Sequence, residues 1–199
     1  FFLMDRADGH GHHHDGAPLD HHDVHHEHNK AWCGQVMPTK EEKATSADIV
    51  KAWVHERKKN RKDRKLEPDE VVHINTHFHI IMSEGNPSEG HVSVQKIDAS
   101  LQVINDAFEF AGFDFIKGEV TTTANSAWYT VTSSSYGESQ MKAALRFGGA
   151  EDLHVYLLKP EQGLLGWAYT PNWYENYPLN DGVVISNESV PGGTNANYN

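Results

Sequence analysis

The chain has 199 residues, enough for one core-bearing domain plus an extension. With 17 Lys and Arg against 28 Asp and Glu its formal charge is −11. That balance argues against a nucleic-acid binder, which would show a basic face, and no apolar run approaches the roughly 20 residues of a membrane span.

Residues 1–30 are low-complexity, with nine of the 15 histidines between His10 and His28, mixed with Asp and Gly. Such a stretch cannot bury a core, and its neutral imidazoles suit weak binding of Zn²⁺, Ni²⁺ or Cu²⁺. From Thr45 to about Lys65 the pattern is helical, with Ser46 as expected N-cap and Ile49, Val50, Trp53 and Val54 as an apolar stripe. The helix runs into "RKKNRKDRK", a charged helix end or linker that would also suit basic-specific processing near Leu66 or Glu67.

Beyond Pro68 the character changes. The β-branched run 71–82 reads as a strand with Val72, Ile74, Phe78, Ile80 and Met82 on one face. On the other, His73, His77 and His79 share a side with Asn75. Alternate histidines of this kind permit a metal site, although partly buried, hydrogen-bonded histidines are the commoner outcome. Ser93 caps an expected helix carrying Ile97, Leu101, Ile104 and Phe108, with Gly112 as its stop. Residues 113–123 form a second strand, 138–147 a short helix, 153–158 a buried strand and 182–186 a last short one. "GLLGWAYT" (163–170) is a strand or a turn. The order predicts an α/β (α+β) sandwich with a twisted mixed sheet backed by helices.

Several segments in order, "THFHII", "GHVSVQKIDASLQVINDAFEFAGFDF", "MKAALRFGGAEDLHVYLL", "GLLGWAYTP", "DGVVIS" and "SVPGGTNANYN", resemble the pappalysin-type zinc metallopeptidases, especially their secreted fungal branch. The match covers roughly residues 70–199. The resemblance implies a zincin-like fold, a polypeptide substrate, an extracellular location and a zinc ion held by an H-E-x-x-H-x-x-G-x-x-H helix. Two histidines one helical turn apart would hold the metal, and the intervening Glu would polarise its water. No H-E-x-x-H occurs in these 199 residues. The expectation is therefore a chain in which 1–66 is a His-rich, propeptide-like extension and 67–199 is the N-terminal part of a catalytic domain. Such a chain would be inactive alone, with an apolar sheet face on strands 153–158 and 182–186 left uncovered. The alternative is a non-catalytic, His-rich metal-binding protein on a protease-derived domain.

The resemblance also assigns site residues. Gly166, Trp167, Ala168 and Tyr169 fall in the edge strand to which substrate would pair through its main chain. Without it, the same residues read as a hairpin whose Trp167 and Tyr169 pack on the core. Cys33 is either an ordinary thiol or a latency ligand of the zinc, although Trp32 stands where the better-known switch pattern has Arg. Asn187, in "NES", is the one N-glycosylation sequon.

Overall fold

A computed structural model describes Cys33 and residues 39–64, 71–86, 88–170 and 173–195. The His-rich tract, the processing positions Leu66 and Glu67 and most side chains of the basic run lie outside the described residues.

Helix α1 (Lys40–Arg64) begins earlier than the sequence suggested. Thr39 and Glu42 form a reciprocal capping box: Glu42 N donates to Thr39 Oγ1 at 3.2 Å, and Thr39 N donates to Glu42 Oε2 at 2.8 Å. This satisfies the amides of Thr39 and Glu42 at the helix start and leaves Ser46 inside the helix. Ile49 and Val50, expected on a packed stripe, are 56% and 58% exposed.

Strands β1 (Val72–Met82), β2 (Phe113–Ala124), β3 (Leu153–Leu158), β4 (Gly166–Ala168) and β5 (Val183–Ser186) form one sheet in the order β2-β1-β3-β5-β4. Pairing is parallel except at β4, which runs antiparallel to β5. Helix α2 (Val94–Phe108) follows β1, capped by Ser93, and the turn after it closes at Gly112 with φ 72°. Two helices not both foreseen, α3 (Ser126–Tyr129) and α4 (Tyr136–Leu145), precede β3.

The central strands are buried on both faces, as parallel strands between two helical layers must be. Phe78, Ile80, Val155 and Leu157 pack toward Ile97 of α2, with Val92 and Val190. Ile81, Tyr156, Leu158 and Val184 pack toward Met141 of α4, with Tyr129, Val131 and Trp167. The expectation of an uncovered apolar face on 153–158 is therefore corrected. Leu157 and Leu158 are 1% and 0% exposed, because α2 and the α3–α4 segment cover opposite sides of β3. Among the described residues no helix is long and apolar enough to cross a membrane.

Candidate functional site

The β4 edge is built by register. Gly166 pairs with Ile185, Trp167 with Val184 and Ala168 with Val183, and Leu165 O accepts from Ser186 N at 2.7 Å. In an antiparallel ladder hydrogen-bonded and non-hydrogen-bonded pairs alternate. Leu165 and Trp167 therefore direct their main-chain groups toward β5, while Gly166 and Ala168 direct theirs to the open side. On that side Gly166 forms a parallel bridge with Cys33, whose residue is exposed. Gly166 is required by its inner neighbour: a Cβ there would collide with the carbonyl oxygen of Val184.

Side chains alternate as well. Trp167 and Tyr169 turn inward, to Glu138 on α4. The Trp167 indole Nε1 donates to Glu138 Oε1 at 2.7 Å and the Tyr169 hydroxyl to Oε2 at 3.0 Å. Glu138 Oε2 also accepts from Ser134 N at 2.7 Å, and Lys142 Nζ lies 2.8 Å from Oε1. Lys142 donates in addition to Asn180 O at 2.7 Å. Burial pulls the Lys142 pKa below its ordinary value, against the opposing pull of Glu138. Burial likewise raises the Tyr169 phenol. Sequence reasoning named Trp167 and Tyr169 but missed Glu138, although Ser135-x-x-Glu138 is a legible capping box, with Glu138 N donating to Ser135 Oγ at 3.1 Å.

The histidine face of β1 is hydrogen-bonded rather than metal-shaped. His77 Nδ1 accepts from Glu119 N at 3.0 Å. His79 bridges Thr121 Oγ1 at 2.8 Å and His154 Nδ1 at 2.9 Å, and His154 Nε2 meets Phe147 O at 2.8 Å. His73 lies outside, paired with Asp114 at 2.9 Å. Among the described residues no group of three or more His, Cys, Asp or Glu could hold a metal ion. The described residues therefore do not fit a zinc centre. Asn187 sits half-buried in the turn after β5, its N–H donating to Leu158 O at 2.8 Å.

No family model matches the sequence. An extracellular metalloprotease of Arthroderma gypseum is 37% identical over 131 residues, covering 64% of this chain and 42% of the relative. One from Colletotrichum graminicola is 33% identical over 170 residues, covering 84% and 58%. The chain is a homologue of the fungal extracellular metalloproteases. It spans about half the length of the curated metalloproteases it matches. Mature mirolysin of Tannerella forsythia, in complex with a cleaved peptide, superposes with a TM-score of 0.50 at 20% identity, covering 62% of this chain and 55% of mirolysin. At that identity the likeness carries the fold alone: the mixed sheet with its helices is shared with mirolysin, in keeping with the fold the resemblance implied. The extracellular location implied by the resemblance agrees with the names of these metalloproteases.

Proposed function

We propose that this chain is the substrate-strand portion of a secreted zinc-dependent metalloendopeptidase, with 67–199 belonging to the catalytic domain and 1–66 acting as a propeptide-like extension. The observation that carries the reading is the outer edge of β4. Gly166 and Ala168 offer their main-chain groups there, and the edge already accepts a strand partner at Cys33. An extended polypeptide can add to such an edge by main-chain hydrogen bonds whatever its sequence. The homologous metalloproteases support the reaction class.

In this reading these residues bind and orient the peptide, and the zinc-holding motif is contributed by sequence outside them. Trp167 and Tyr169 support substrate from behind, while Gly166 and Ala168 present the backbone it pairs with. Cys33 bridges the same edge in the latent protein, and its exposed thiol is the latency ligand. Asn187 is the glycan acceptor. The test is cleavage of casein by the full-length protein, with and without a chelator, for the wild type and Cys33→Ala. Chelator-sensitive cleavage that appears earlier in Cys33→Ala is expected. Cleavage indifferent to chelator, or none, would overturn the enzyme reading, and identical onset in both proteins would overturn the latency role.

A further inference from the structure

We infer that Glu138 is a positioning residue for the peptide-binding strand, setting the pitch of β4 from behind. The inference rests on the reading of β4 as the substrate strand.

The carboxylate lies where an ordinary capping box would end, but it does not close that box. Ser135 caps α4 and accepts from Glu138 N. The reciprocal partner of such a carboxylate is the N-cap amide; here Oε2 takes the amide of Ser134 instead, one residue earlier. Ser134 is thereby held at φ 61°, in a left-handed conformation unfavourable to a residue with a Cβ. That displacement leaves Oε1 and the remaining lone pair of Oε2 for Trp167 and Tyr169. With Lys142 as the fourth donor, both oxygens are fully engaged, and Glu138 and Lys142 are 2% and 0% exposed.

The two anchored residues flank Ala168. β4 is three residues long and is paired on one side by β5. Gly166 has no side chain and Ala168 only a methyl, so their face of the strand has little to grip. Rotation of β4 about its own axis is therefore restrained chiefly through Trp167 and Tyr169, and both are tied to one carboxylate. The same rotation sets the direction of the outward N–H and C=O groups of Gly166 and Ala168. A misdirected edge would weaken every main-chain bond to a peptide while leaving chemistry at the scissile bond intact. The loss would thus fall on KM rather than kcat. Lys142 extends the tie to the 178–180 turn through Asn180 O.

The test uses the full-length protein and two variants. Glu138→Gln removes the charge. Glu138→Met combined with Lys142→Met replaces the buried pair by apolar groups of similar volume, a change that folded proteins tolerate, and it frees Trp167 and Tyr169. Measured are KM and kcat for an extended oligopeptide and for a substrate too short to pair along β4, together with amide hydrogen exchange over 165–169. Both variants should raise KM for the long peptide about tenfold, the scale of one lost charge-assisted hydrogen bond. The short-substrate KM should be unchanged and exchange over 165–169 faster. Wild-type KM and wild-type exchange in the double variant would overturn the role of Glu138. Faster exchange with unchanged KM for both substrates would show that Glu138 holds β4 but that β4 is not the substrate strand, and the proposal would fall with that reading. Absence of any cleavage by the intact wild type would overturn both.

Discussion

His79 and His154 are joined ring to ring. His79 Nε2 lies 2.9 Å from His154 Nδ1, and the two imidazoles are nearly coplanar, with an interplanar angle of 4°. The tautomers follow from the ends of the chain. Phe147 O can only accept, so His154 Nε2 carries a proton and Nδ1 accepts. His79 Nε2 then donates, leaving Nδ1 to accept from the Thr121 hydroxyl. Every position is satisfied with both rings neutral.

That arrangement predicts acid lability. Burial first, then His154 and His77, pushes the His79 pKa down to about 4, and burial lowers His154 as well. The unfolded chain takes up these protons nearer the ordinary value of about 6.5, so between the two values it binds more protons than the folded one. Stability is therefore full above pH 6.5 and falls as pH drops toward 4, by up to about 3 kcal/mol for His79. Groups facing the cluster are Thr121 from β2, Tyr156 from β3, His77, and Asp152, whose carboxylate is held low chiefly by Gly149 N. Thermal unfolding from pH 7.5 to 4 should show a falling midpoint, with a shallower fall in His79→Gln. A flat or rising profile would contradict the assignment.

Gly166→Ala should break the β4–β5 pairing, because its methyl must displace the Val184 carbonyl. A loss of about 1–3 kcal/mol in denaturant unfolding is expected, typical of backbone strain. Ala168→Gly, where only entropy changes, should cost no more than about 1 kcal/mol. Equal effects at the two positions would count against the register described.

Lys142→Met alone leaves Glu138 buried without its counter-charge. It should destabilise by about 3–5 kcal/mol, whereas adding Glu138→Met should restore most of the loss. Denaturant midpoints of the single and double variants check this; additive losses would mean that the pair is not coupled.

The 199-residue chain alone should hydrolyse nothing. It has no H-E-x-x-H, and His77, His79 and His154 are committed to Glu119, Thr121, Phe147 and one another. Chelator-sensitive cleavage of a labelled peptide by the purified 199-residue chain would contradict this.

The strands were legible where residue chemistry is local. The β-branched runs 71–82 and 153–158 became β1 and β3, and the stripe of Ile97 and Leu101 marked α2. Less legible were features created by distance. Nothing in the sequence near His79 points to His154, 75 residues away, yet their pairing decides that the histidine face is hydrogen-bonded. Glu138 reads locally as a capping residue, and its partners Trp167 and Tyr169 arrive only through the sheet. The start of α1 is not legible from the apolar pattern, because its capping pair Thr39 and Glu42 precedes that pattern.

The central claim is that the outer edge of β4 binds an extended polypeptide. Amide exchange at Gly166 and Ala168 in the full-length protein, with and without a saturating, non-cleavable extended peptide in a Cys33→Ala background, tests it most directly. The account predicts that the peptide slows exchange at both amides at least about tenfold, as paired edge amides should. A peptide that binds while leaving both amides as exposed as before would contradict it.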